Sequence, residues 1–461
     1  MSIKSFDREI SELINTGKVN QAVQTAQEHL IHSALVLSGI CFDRLNQEWR
    51  AIDVVKNLLE LYPDERLYSN LIFLYNHLGK FDYAKAVGEK AIEVTPTADI
   101  YYNYGLALRN LKDLEGAAEA FRNSIRLNPD FAMAHNQLSN VLYGLGQFPE
   151  ALKEEQWRFK ALNKFKRFRD RYSGADYNAE TKISGKTILV FNEHGFGDFV
   201  QFSYYLPTLK DHSGARIIVE VKPELYSLFK NSNLADEFFV FEEDGNNIPG
   251  HDFAVSVMSL PFFFDLSFEF TPFQTPYLSP SEESIPEEAL RLMSGFDDKI
   301  KIGINWAGMV WNARDRMRSC PLRFFRPLFE NPKIQVFGIQ KGEMVRTWGK
   351  GRSTIWHGDD EIDVVDLLEG AEGLKFIDLG PHLNDFNDTV HVIKNLDLVV
   401  TVDSSVIHLA GAIGKKAYLL LSYAYEWRWL RNWYPTIKVF RQPNPGDWEK
   451  LLIKIASEII D

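Results

Sequence analysis

Two stretches of this 461-residue chain carry residue types whose spacing suits chemistry. In FNEHGFGDFVQFSYYLP, an apolar run passes into a helical pattern through a turn holding His194, Gly195, Gly197 and Asp198. Glycines there let the backbone approach a bound group closely, and a carboxylate beside them can take a proton from a hydroxyl. A tight turn whose helix is capped by Asp198 explains the same residues without chemistry. In LDLVVTVDSSVIHLAGAIGKK, a strand runs to Asp403, and Ser404, Ser405 and His408 open the helix that follows. Free N–H groups and the positive end of the helix dipole at such a turn suit a diphosphate. Asp403 suits the hydroxyls of a sugar, while Ser404, Ser405 and His408 can donate to phosphate oxygens. An N-cap made by Asp403 or Ser404, with His408 simply buried, fits equally well.

Both turns need a scaffold. From Lys186 onward, short β-rich runs alternate with helical ones: TILVFN, RIIVEV, EFFVF and FAVSVMS. After the loop-rich FFFDLSFEFTPFQTPYLSPSEESIP, the alternation restarts with KIGINWA, IQVFGIQ, FIDLG, DLVVTVD, AYLLLS and IKVFRQ, and the helix Asp447–Ile460 closes it. This alternation predicts two parallel sheets covered by helices, residues 186–290 and 291–461, with ligands at the carboxyl ends of the strands. Gln340 and Phe386 fall near strand ends or helix starts, where a base could be recognised. In YAYEWRWLRNWYP, Trp427, Trp429, Trp433 and Tyr434 suit either stacking on a sugar or base, or core packing.

The first third repeats. Pro63, Pro96 and Pro129 recur every 33 residues, and Ala51, Ala84, Ala117 and Ala151 keep nearly the same period. Gly79 and Gly146 hold matching places. Each unit reads as two helices joined by a short turn, with the alanine allowing close approach and the proline ending the unit. The pattern is similar to the tetratricopeptide repeat and predicts an α-solenoid over residues 1–163, with a concave groove. Tyr68, Tyr75, Tyr101, Tyr102 and Asn103 are candidates for the groove lining or, for the tyrosines, the inter-helix core. Residues 164–185 read as a linker, entered through the basic EEQWRFKALNKFKRFRDR, whose charges suit a solvated helix.

The net charge of −12 argues against a general binder of nucleic acid or membrane surfaces. Cys41 and Cys320 form neither a disulfide framework nor a metal-ligand spacing, which fits a reducing compartment. No apolar run is long enough to span a bilayer, and the N-terminus lacks the pattern of a signal peptide. These features predict a cytoplasmic protein.

HGFGD after the first strand and VDSSVIHLAGAIGKK near the end resemble the layout of glycosyltransferase family 9, which includes the heptosyltransferases and has the GT-B fold. INWAG, DRMRSCPL, DLGPHLNDFNDT, YEWRWL and VFRQPNPGDW extend the likeness over nearly all of 186–461, most closely to bacterial proteins with tetratricopeptide repeats before such a domain. A repeat array before a GT-B domain is also similar, in architecture alone, to O-GlcNAc transferase. The resemblance implies an α-solenoid followed by two Rossmann-like domains. It also implies an inverting transferase that moves a sugar from a nucleotide-sugar co-substrate to a protein or glycan acceptor recruited by the repeats. Asp198 then matches the general base, with His194, Gly195 and Gly197 in its loop. Arg318 stands where a donor-phosphate lysine lies, Arg314 and Arg316 could assist it, and Asp403, Ser404, Ser405 and His408 match the donor turn. No Asp-x-Asp pair occurs, so no metal is expected. An interaction scaffold without catalysis is the alternative, motivated by the apolar Met309, Val310 and Trp311 after the INWAG strand and by the Lys-to-Arg change at 318. A nucleotide-sugar epimerase ranks behind it. Self-association through the repeats is a further expectation.

Overall fold

The computed structural model describes residues 12–13, 15–16, 18–43, 48–178, 183–242, 245, 247–264, 273–308, 318–341, 354–357, 360–363, 376–423, 427–430, 432–444 and 446–460. The chain forms two compact units, Met1–Asn163 and Lys164–Asp461.

The first unit is helical. Its regular pairs are Glu65–His77 with Phe81–Val94, Ala98–Asn110 with Leu114–Leu127, and Ala132–Gly144 with Phe148–Glu155; Val19–Asp43 and Glu48–Leu61 precede them. The periodic alanines Ala51, Ala84, Ala117 and Ala151 have no exposed surface, as expected for points of helix contact. Within each regular pair the chain turns through a left-handed residue: Gly79 at φ 68°, Lys112 at φ 68° and Gly146 at φ 72°. Lys112 thus fills a place where its counterparts are glycines. Of the candidate groove residues, Tyr68 and Tyr75 are core. Tyr101 and Tyr102 are half-buried, with Tyr102 packed on Phe131 at 5.0 Å between ring centres. Asn103 donates to Ser69 Oγ at 2.9 Å, and both residues line a groove of about 420 Å³ shared with Leu35, Glu65, Phe73 and Asp99.

The second unit holds two parallel sheets. The first contains β1 (Ala175–Asp176), β2 (Thr187–Phe191), β3 (Arg216–Val221), β4 (Glu237–Val240) and β5 (Phe253–Ser256), in the order β1-β5-β2-β3-β4. The second is built from β6 (Ile300–Asn305), β7 (Ile334–Gly338), β10 (Ile377–Asp378), β11 (Leu398–Val402), β12 (Ala417–Leu421) and β13 (Ile437–Arg441), in the order β10-β7-β6-β11-β12-β13. β8 (Thr354–His357) and β9 (Asp360–Asp363) pair separately and antiparallel. The near-continuous apolar runs of β2, β11 and β12 follow from burial on both faces.

Part of the stretch expected as a linker belongs to the α/β unit. Ala175 and Asp176 add β1 beside β5. Tyr172 stacks on Phe191 at 5.2 Å, and its hydroxyl donates to Glu220 at 2.6 Å. The basic run therefore includes residues held in place, such as Arg169 on Asp176. The segment joining the two sheets is tied to the second half, with Phe273 N–H donating to Trp433 O and Tyr277 N–H to Ala412 O. Among the described residues, no helix is long and apolar enough to cross a membrane.

Candidate functional site

β2 and β11 each end in a turn that opens a helix, Phe196–Phe202 and Ser405–Ala412 respectively. Within the α/β unit these helix starts meet. A Cβ built on Gly197 would lie 2.8 Å from His408 Cδ2 and 3.3 Å from Ser405 Cα. Gly197 therefore lacks a side chain because the other helix occupies that space. Gly195 is different: only Asp198 Oδ2 comes within 4 Å of its built Cβ, at 3.5 Å.

Asp198 caps its helix by accepting from Gly195 N–H at 3.2 Å. Its other oxygen pairs with Arg428 Nη2 at 2.7 Å, and His194 Nδ1 stands 3.7 Å from the capping oxygen. Burial is the largest single influence on Asp198 and opposes its ionisation, but the Arg428 guanidinium, together with lesser partners such as His194 and the Gly195 N–H, outweighs it and holds the carboxyl below its ordinary value. His408 is buried, and that burial pushes its imidazole down to about 3, against the pull of Asp198. It is therefore neutral at physiological pH and adds no charge, which leaves Arg428 as the main counterion. His408 Nδ1 is hydrogen-bonded to the Tyr434 hydroxyl at 3.1 Å, and its ring stacks on Trp429 at 5.3 Å.

The donor-turn candidates are held from within as well. Trp429 Nε1 donates to Asp403 Oδ1 at 2.8 Å. Ser404 Oγ accepts from Val406 N–H at 3.3 Å and donates to Asn305 Oδ1 at 2.8 Å. Asn305 Nδ2 donates to Gln340 Oε1 at 2.7 Å, which also accepts from Ala307 N–H at 3.0 Å; Gln340 Nε2 donates to Lys341 O. Gln340 thus ties together the ends of β6 and β7, with both ends of its amide engaged. Ser405 is half-buried at the start of its helix. Arg318 is half-buried on the segment that returns along β6, where Cys320 N–H donates to Trp306 O at 2.8 Å. Met309, Val310, Trp311, Arg314 and Arg316 lie outside the described residues. Phe386 packs on Phe196 at 4.8 Å.

Four residues around the site stand outside the spacing of the two motifs. Arg428 lies among tryptophans, and its signal in the sequence is a cation inside an aromatic run. Lys222 donates to His194 O at 2.9 Å and lies over the Phe196 ring. Glu220, raised by burial, accepts from Tyr172 and from Asn192 N–H at 3.0 Å. Glu193 is buried and accepts from Ser256. Of the other aromatic candidates, Trp433 and Tyr434 are core. Among the described residues, no group of three or more His, Cys, Asp or Glu is placed to hold a metal ion.

Residues 98–131 match the tetratricopeptide repeat family model. The chain is similar to Protein FlbA of Caulobacter vibrioides, 24% identical over 444 residues, covering 90% of this chain and 71% of that protein. Among solved structures, MamA aligns over 37% of this chain and 99% of its own at 20% identity and a TM-score of 0.27. The glycosyl transferase family 9 structure from Veillonella parvula aligns over 57% and 88% at 13% identity and a TM-score of 0.42. Neither superposition is close enough to argue for a fold, which rests on the strand orders given above. The chain thus has a tetratricopeptide-like helical region followed by two sheet-and-helix subdomains.

Proposed function

We propose that this chain is an interaction scaffold, with tetratricopeptide-like helices that engage a protein partner and an α/β unit of transferase-like layout held closed. The observation behind this is that the carboxylates of both turns are engaged by side chains of the chain itself. Arg428 sits on Asp198, and Trp429 sits on Asp403 and His408. A general base needs a free carboxylate whose proton affinity is raised toward neutral pH, and this one is paired and lowered. The open groove of the helical unit supports the binding half of the proposal. Incubating the full chain with a panel of nucleotide sugars tests it: neither donor hydrolysis nor transfer is expected. Turnover of any nucleotide sugar would refute the scaffold.

A metal-independent inverting glycosyltransferase is the second reading. It is favoured by the meeting of Asp198, Ser405 and His408 around Gly197, since a base and a donor turn must converge on one bond. Asp198 would then deprotonate the acceptor hydroxyl, and Arg318, Ser404 and Ser405 would face the donor diphosphate. On this reading, Asp198→Asn abolishes transfer while donor binding survives.

A further inference from the structure

The strongest unexplained feature is a pair of adjacent side chains that engages both turns at once. Arg428 and Trp429 lie on the short helical segment Trp427–Leu430, after β12. Arg428 reaches the turn after β2 and pairs with Asp198; Trp429 reaches the turn after β11 and donates to Asp403. The carbonyl of Arg428 accepts from Trp433 Nε1, which anchors the segment to a fully buried tryptophan. Each of the two bonds uses a charged acceptor, and each could be exchanged for a bond to a small molecule. A ligand entering here must offer Arg428 an anion in place of Asp198 and must offer Asp403 a donor in place of the indole N–H.

We propose that Arg428 and Trp429 form a latch that holds the two turns together, opened by a phosphate-bearing, hydroxylated ligand that takes Arg428 from Asp198. The latch goes beyond the scaffold reading, because it makes closure a reversible state of the α/β unit. The two residues then act in opposite directions on ligand binding. Trp429 only holds the closed form, so losing its N–H favours the open form. Arg428 both holds the closed form and receives the ligand's anion.

The test is calorimetric titration of full-length protein with uridine, guanosine and adenosine diphosphates and with inorganic pyrophosphate. Trp429→Phe keeps the ring on His408 but removes the donor to Asp403. The latch predicts that this variant binds at least one nucleoside diphosphate roughly tenfold or more tightly than the unaltered protein. Arg428→Gln is expected to abolish that binding, and Arg428→Lys to restore part of it. Pyrophosphate should bind more weakly, since it has no hydroxyl for Asp403. Near-ultraviolet circular dichroism confirms that each variant is folded. Weakened or unchanged binding in folded Trp429→Phe, or no probe binding to either protein, overturns the latch. Turnover of a nucleotide sugar by the unaltered protein would instead overturn the scaffold and leave the latch standing, so the two failures are distinct.

Discussion

Replacing Gly197 with alanine tests whether the two helix starts meet. The added methyl would sit 2.8 Å from His408 Cδ2, where carbon–carbon contacts prefer about 3.5–4.0 Å. His408 cannot swing away freely, because Tyr434 bonds its Nδ1 and Trp429 stacks on its ring. The backbone of the facing helix, at 3.3 Å, blocks the other direction. Overpacking of this kind costs about 1–3 kcal/mol. Alanine's better helix propensity returns at most about 1 kcal/mol. For a unit of this size, the melting midpoint should fall by roughly 2–5 °C. Gly195→Ser is the internal control: its Cβ has ordinary room, and serine is a good N-cap, so the midpoint should hold or rise slightly. Eight of the ten tryptophans lie in residues 164–461, so near-ultraviolet circular dichroism of the full chain follows the α/β unit. If Gly197→Ala melts no lower than Gly195→Ser, the helix starts do not touch, and the site described here is not formed.

Three other outcomes follow from particular contacts. A four-variant cycle of Asp198→Asn and Arg428→Met should give a coupling of about 3 kcal/mol in urea denaturation, because each change alone removes one charge of a nearly buried ion pair; a coupling below about 0.5 kcal/mol would remove the ion pair from the account. His408 titrates at about 3 in the folded protein against an ordinary 6.5, so the unfolded chain takes up the proton first as pH falls. Its contribution to stability is complete above about pH 6.5 and is lost toward pH 3, at up to about 1.4 kcal/mol per pH unit. Asp198, lowered from 3.8, keeps its contribution throughout that range above 3.8 and loses it only as pH falls through its own lower value. Urea midpoints between pH 7 and 5 should therefore fall more steeply for the unaltered protein than for His408→Gln, and equal slopes would contradict the burial of a neutral imidazole. In the helical unit, Lys112→Gly should raise stability by about 0.5–1 kcal/mol, since it relieves a left-handed backbone at φ 68°; far-ultraviolet melting that shows a loss would refute the strain.

Much of the architecture was legible in local pattern. The 33-residue spacing of alanine and proline marked the helix pairs, because close helix approach needs a small side chain at a repeated place. The alternation of apolar runs marked the strands of both sheets, because strands buried on two faces must be apolar throughout. β8 and β9 carry no such mark, since the polar DEID does not read as a strand. Residues 164–178 carry none either: their basic composition suggests solvent, while the tertiary fold uses Tyr172 to satisfy the buried Glu220.

The site divides along the same line. Sequence determined that His194, Gly195, Gly197 and Asp198 end one strand and that Asp403, Ser404, Ser405 and His408 end another, because strand-to-helix handovers are local. Only the tertiary structure decided that the two turns meet, that Gly197 is small to admit His408, and that Arg428 and Trp429 bond to one carboxylate of each. Those facts depend on which distant surfaces come into contact, and a pairing between residues 230 positions apart leaves no trace in the spacing of either motif.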